Sequence, residues 1–111
     1  MHRRMTERIV RYADGFNPLG RPSAEQMRRL EDALRAAGRD PRGLELVGGT
    51  RAVFGDGHSV ADLGQALATI PPQVAAGFTT FCLKPSQFTD DPRDVGRLCR
   101  DIIGRVDGML P

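Results

Sequence analysis

The sequence predicts an α/β fold in which three parallel strands alternate with four helices. In four segments the apolar residues recur every three or four positions, as on the buried face of a helix, and short runs of β-branched and aromatic residues lie between these segments. Strands separated by helices are joined in parallel by right-handed crossovers. With 111 residues, of which 40% are hydrophobic, the chain has the size and composition of a single domain, 1–111.

The first helix is predicted from the helical spacing of Met5, Ile9 and Tyr12 within residues 3–12. No capping residue precedes it, so we interpret it as the second half of a longer helix. Turn-forming residues at 13–18 then break the helical period. They leave room only for a very short extended segment, Gly15-Phe16.

The second helix has a clear signal at each end. Ser23 is an N-cap, Gln26 completes a capping box, and Gly38 permits the left-handed conformation that ends a helix. After a turn at 39–41, residues 44–47 form a strand that Gly48-Gly49 ends, and residues 50–54 either extend or follow it. The buried stripe of the helix consists of Met27, Leu30, Leu34 and Ala37.

Ser59 and Asp62 signal the start of a third helix, after a glycine-rich loop at 55–57. Pro71-Pro72 either ends this helix or starts a fresh turn over 73–76, which Gly77 closes. The buried face of the helix carries Val60, Leu63 and Leu67.

Residues 78–83 are rich in aromatic and β-branched side chains and predict a buried third strand. A loop at 84–88 follows its carboxyl end. Asp91, an N-cap before Pro92, then begins the last helix. The stripe of this helix is Val95, Leu98, Ile102 and Val106, and we expect Cys82 and Cys99 to be small core residues.

Composition excludes several classes of partner. Sixteen basic and fourteen acidic residues give a net charge of +2, and Glu7 interrupts the basic first helix, so we expect no nucleic acid. No apolar run approaches the ~18 residues that a membrane span needs, and no signal peptide opens the chain. Two cysteines are too few for a disulfide framework or a zinc site. We therefore expect a soluble, cytoplasmic protein without metal or membrane partner.

Three stretches, in this order, resemble a known family. Residues 8–18 (RIVRYADGFNP) are similar to the "R…ADGW-P" stretch of luciferase-like flavin-dependent oxidoreductases. Residues 38–41 (GRDP), after an amphipathic helix, resemble the next landmark of these proteins, and residues 77–83 (GFTTFCL) resemble their final barrel strand. The order and spacing agree with that family from residue 8 to residue 106.

The resemblance implies a partial barrel. Members of this family are TIM-type (β/α)8 barrels of about 250 residues, so the chain corresponds to the last three strand–helix units. It implies an oxidoreductase or monooxygenase that uses FMN or a deazaflavin and acts on a small molecule. Because earlier strands supply much of the flavin site, we expect this fragment to be inactive alone, and to self-associate or pair with a second chain that completes the sheet.

An alternative function is a non-catalytic half-barrel, an assembly or interaction module that works as a homo-oligomer or with a partner chain. The missing strands favour it. So does the absence of any nucleophile, acid or base with an identifiable partner in the sequence.

The candidate site follows from the barrel, in which functional residues lie at the carboxyl ends of strands. The glycines Gly48 and Gly49 let backbone N–H groups approach an anion beside Arg51, unless they merely turn the chain. Lys84 is the only lysine beside fifteen arginines. With Ser86 it offers a phosphate contact, unless it is a solvated loop residue. We expect these five residues to bind the cofactor, and we expect no catalytic side chain or metal ligand.

Overall fold

The computed structural model describes residues 1–18 and 20–109. The chain is α/β, with a three-stranded, parallel, open sheet and helices, as predicted. It divides into two units, an amino-terminal unit, Met1–Gly48, and a carboxy-terminal unit, Gly49–Pro111, which we describe separately. That residues 1–111 form a single domain stays a prediction.

The elements follow one another in the predicted order, with the third predicted helix divided into two short ones. The strand order in the sheet is β1-β2-β3. The elements are α1 (Arg3–Tyr12), β1 (Gly15–Phe16), α2 (Ala24–Ala36), β2 (Glu45–Gly49), α3 (Leu63–Leu67), α4 (Ile70–Ala75), β3 (Thr80–Cys82) and α5 (Val95–Asp107).

The amino-terminal unit is built on an apolar cluster of helix residues and Leu44, against which strand residues pack. In the sheet, Gly15 pairs with Glu45 and Phe16 with Leu46. Helices α1 and α2 contact each other. Each fully buried leucine contributes about 1.5–3 kcal/mol relative to an exposed one. The buried cluster consists of Ile9, Leu30, Leu34 and Leu44.

The predicted caps of α2 are confirmed. The Ser23 hydroxyl accepts the Gln26 backbone N–H at 3.1 Å, and the Gln26 side-chain oxygen accepts the Ser23 N–H at 2.9 Å. Gly38 follows the helix with φ +75°, a conformation that a side chain would strain. Local sequence signals therefore set both ends of this helix.

The predicted stripe of α1 is only partly correct. Ile9 is buried, but Met5 is 39% exposed and Tyr12 is 72% exposed. Of these three side chains, Ile9 alone belongs to the buried cluster of the unit. The helix begins at Arg3 with no side-chain cap at His2, in line with the missing capping signal.

The boundaries of the strands differ from the prediction. Strand β2 continues through Gly48 and Gly49 instead of ending before them, and residues 50–54 follow it without regular structure. Strand β3 has three residues in place of the six predicted, and it is half-buried or exposed. Its position at the edge of the sheet explains this, because an edge strand has one neighbour and fewer ladder hydrogen bonds. Cys82 is exposed, so its expected core position is wrong.

The third predicted helix is two short helices. Asp62 caps α3 by accepting the Gln65 N–H at 2.7 Å, whereas the Ser59 hydroxyl donates to Asp90 instead of capping a helix. Pro71-Pro72 lies in the first turn of α4, where proline costs no hydrogen bond because the N–H has no helical acceptor there. The fresh-turn alternative is therefore the correct one, although the new helix begins at Ile70.

Helix α5 begins after a short 3-10 turn, Pro92–Asp94, which Asp91 caps by accepting the Arg93 N–H at 2.9 Å. No residue of α5 is fully buried, and its predicted stripe is half-buried. Ile103 is exposed. No helix within residues 1–18 and 20–109 combines the length and the apolar character needed to cross a membrane.

Candidate functional site

The carboxyl ends of β2 and β3 lie next to each other. The Thr50 N–H, directly after β2, donates to the carbonyl oxygen of Cys82, the last residue of β3, at 3.2 Å. Arg51 is the next residue after Thr50, and Lys84 is two residues beyond Cys82. Both strands end at the same edge of the sheet. The two segments that carry these cationic residues therefore begin at neighbouring points. Both side chains are exposed.

Gly49 is required by a close approach of two backbones. A Cβ atom at this position would lie 2.9 Å from the Cys82 carbonyl oxygen, closer than real Cβ contacts. Its N–H donates to Oε1 of Gln73 at 3.1 Å, and its carbonyl accepts from Nε2 of Gln73 at 2.9 Å. The Gly49 N–H is thus engaged by Gln73 and not offered to an anion. A cofactor-binding role for Gly48 and Gly49 stays a prediction.

Arg51 and Lys84 carry charge that the described part of the chain does not neutralise. Neither forms an ion pair there, whereas many arginines pair with an acid at most four positions away, such as Arg97 with Asp94 at 2.8 Å. The sequence explains the difference, since no acidic residue lies within four positions of either cation. A guanidinium and an ammonium with free donors can bind phosphate oxygens.

Ser86 belongs to a 3-10 turn, Pro85–Gln87, that begins after Lys84. The turn is held in place by the segment before α3, because the Ala61 N–H donates to the Gln87 carbonyl at 2.7 Å. The hydrogen bond from Ser59 to Asp90 adds a second link between the same two segments. Ser86 is exposed, and it lies two positions after Lys84 in the sequence.

The loop after Arg51 adds apolar surface. Val53 is 50% exposed and Phe54 is 48% exposed. Both residues lie shortly after Arg51 in the sequence. A ligand that combines an anionic group with a flat or apolar part could therefore contact the Arg51 guanidinium and these apolar side chains.

Two other polar residues, His58 and Asp14, lie outside the helices and strands. His58 is exposed, and its ring lies beside Gly55. No group of three metal-ligating side chains occurs within the described ranges 1–18 and 20–109. Asp14 is exposed, and its carbonyl accepts the Glu45 N–H at 2.9 Å within the amino-terminal unit.

A separate open cleft of about 500 Å³ lies on the carboxy-terminal unit. Its charged groups are engaged in ion pairs, Asp94 with Arg97 at 2.8 Å and Asp101 with Arg105 at 3.1 Å. It therefore suits phosphate less well than the edge that carries Arg51 and Lys84. The cleft is lined by Phe88, Thr89, Asp94, Arg97, Leu98 and Asp101.

Comparison with protein-family models, curated proteins and solved structures finds no match to this chain. The family resemblance therefore rests on the three sequence stretches alone.

Two residues with definite roles were missed by the sequence analysis. The Arg39 guanidinium donates to three carbonyls at the end of α1, those of Ile9 at 3.2 Å, Val10 at 2.8 Å and Ala13 at 2.7 Å. Gln73 binds both backbone groups of Gly49. Both contacts join residues more than twenty positions apart, and no spacing rule predicts them.

Proposed function

We propose that this chain is the carboxyl-terminal part of a luciferase-like, flavin- or deazaflavin-dependent oxidoreductase, and that it binds the phosphate group of the cofactor. The hydrogen bond between Thr50 and Cys82 carries the proposal, because it brings the ends of two parallel strands together. The free cations Arg51 and Lys84 follow those ends. Residues at the carboxyl ends of parallel strands commonly bind ligands.

The residues present fit a phosphate group. Arg51 offers two parallel N–H donors, Lys84 adds a mobile positive charge, and the Ser86 hydroxyl adds a neutral donor. The flavin or deazaflavin, when bound, supplies the redox chemistry. The work of this chain is to bind and orient the phosphate end, while additional protein completes the barrel and holds the small-molecule substrate.

The proposal is tested by fluorescence anisotropy, with the protein titrated into dilute FMN or dilute riboflavin, which lacks the phosphate. We expect FMN to bind more tightly than riboflavin. Arg51→Ala and Lys84→Ala should each weaken FMN binding about 3–10-fold, the effect of losing an exposed charge-assisted contact worth about 1 kcal/mol, and leave riboflavin binding unchanged. Arg100→Ala, an exposed arginine of α5, is the matched control. Equal affinity for both flavins would contradict the proposal.

The open sheet favours a second candidate, a non-catalytic half-barrel that assembles with itself or with a partner. Strands β1 and β3 are the two edges of the sheet, and each has a single neighbour within the described residues. Edge strands offer free backbone groups to another chain. Size-exclusion chromatography with light scattering should then give a dimer or larger species without flavin, and a monomer at all concentrations would argue against it.

A further inference from the structure

The end of β2 is held from both sides by hydrogen bonds. Successive residues of a strand direct their backbone groups to opposite sides. Thr50 donates to Cys82 on the β3 side, so Gly49 directs its N–H and C=O to the other side. There the Gln73 side-chain amide binds both, as a paired residue of a neighbouring antiparallel strand would.

Gln73 is itself fixed. Its Nε2 also donates to the Thr69 carbonyl at 2.9 Å, so both amide hydrogens and the amide oxygen have partners. The Gln73 backbone carbonyl accepts the Phe78 N–H at 3.0 Å, which ties α4 to the segment leading into β3. The side chain is half-buried. An amide with every group engaged is a rigid support.

The hydrogen bonds from Gln73 act on Gly49, whose backbone is the least restricted by its own side chain. Gly49 has no side chain and the widest choice of backbone conformations, and the Cys82 carbonyl excludes any residue with a Cβ. The direction in which the chain leaves the sheet therefore depends on the hydrogen bonds of Gly49. Two residues later that chain presents Arg51.

We infer that Gln73 is a positioning residue of the phosphate site, which orients Arg51 through Gly49 without touching the ligand. This inference rests on the proposed function. Its basis is the paired hydrogen bonds of one side-chain amide with both backbone groups of Gly49.

Gln73→Leu keeps the approximate size of the side chain and removes its hydrogen bonds. We expect the Gly49 amide to exchange with solvent at least about tenfold faster, and FMN affinity to fall about threefold, no more than in Arg51→Ala, with riboflavin affinity unchanged. Gln65→Leu, an exposed glutamine of α3, is the composition control and should change neither. Leu67→Ala, at a buried position of α3, lowers stability without removing a hydrogen bond of Gln73 or Gly49, and should keep the preference for FMN.

Gln73→Glu adds a pH readout. A protonated carboxyl has one donor and one acceptor and can bind both groups of Gly49, whereas a carboxylate repels the Gly49 carbonyl. Its FMN affinity relative to the natural protein at the same pH should therefore recover as pH falls through the pKa of the introduced carboxyl. Gln73→Leu should show no recovery.

The outcomes separate the two proposals. If the natural protein binds FMN no better than riboflavin, the proposed function is wrong, and the positioning role of Gln73 is then wrong as well. If FMN is preferred and Gln73→Leu keeps that preference, only the inference about Gln73 is overturned. If Leu67→Ala loses the preference for FMN as Gln73→Leu does, Gln73 only stabilises the protein in general. That result would also overturn the inference about Gln73.

Discussion

The two units are stabilised in different ways. The amino-terminal unit has a cluster of buried side chains from α1, α2 and Leu44, the residue before β2, and Arg39 caps α1 with three hydrogen bonds. In the carboxy-terminal unit the buried residues lie between Ala61 and Ile70, and α5 contains none. Side-chain-to-backbone hydrogen bonds, above all those of Gln73, fix its strand end. The candidate site therefore lies where backbone contacts, more than core packing, set the geometry.

Charge also differs between the units. Met1–Gly48 contains ten basic and seven acidic residues, and Gly49–Pro111 contains six and seven. The net charge of +2 conceals this division. Arg51 and Lys84 therefore act as local cations in a unit of net charge −1, and phosphate binding there should weaken with added salt.

The largest expected effect is in the core of the amino-terminal unit. Leu30→Ala removes a side chain that is 1% exposed and should lower the free energy of unfolding by about 2–5 kcal/mol. Urea denaturation followed by circular dichroism measures it. Arg28→Ala on the same helix, at an exposed position, should cost less than about 0.5 kcal/mol. A loss below about 1 kcal/mol for Leu30→Ala would contradict the description of this core.

Arg39→Met should lower the free energy of unfolding by about 2–3 kcal/mol, because three carbonyls at the end of α1 lose a charged donor. Arg39→Lys should recover part of the loss, since an ammonium reaches fewer carbonyls than a guanidinium. Urea denaturation of both variants checks this order. Equal stability of Arg39→Met and the natural protein would show that the capping contacts do not stabilise the unit.

In the carboxy-terminal unit, Gly49→Ala should cost about 1–3 kcal/mol, because the new Cβ would lie 2.9 Å from the Cys82 carbonyl oxygen. Gly104→Ala is the matched control, since a Cβ at this position of α5 meets open space. It should stabilise the protein by about 0.5–1 kcal/mol through helix propensity. If both substitutions shift the thermal unfolding temperature in the same direction, the close approach of the Cys82 carbonyl does not explain why position 49 is a glycine.

Local signals predicted much of the fold and little of the site. Ser23 and Gln26 define the start of α2 and Gly38 its end, each through neighbours a few positions away, so the sequence alone predicts both ends. Gly48-Gly49 has the local pattern of a turn, and only the neighbouring carbonyl of Cys82 reveals a strand contact. β3 is shorter than its composition predicts because an edge position supplies few hydrogen bonds.

The smallest effect concerns pH. Hydrogen bonds from the side chain and then the backbone of Arg93 lower the pKa of the Asp91 carboxyl below its ordinary value. A lowered native pKa gives stability that is present above the unfolded pKa and lost as pH falls through the native value. Asp91→Asn should therefore flatten, slightly, the decline of the urea midpoint as the pH falls below about 4, the ordinary pKa of an aspartate. A steeper decline of the urea midpoint in the variant would show that the pKa of Asp91 is raised and not lowered.

The most direct test is to map the amide signals of the protein by NMR while FMN or riboflavin is added. FMN should shift the signals of Arg51, Lys84 and Ser86, and riboflavin at the same concentration should leave them in place. Arg3 and Arg97, which are already paired with acids, serve as internal controls and should not move. Shifts centred on those arginines, or the same shifts with both flavins, would contradict a phosphate site at the ends of β2 and β3.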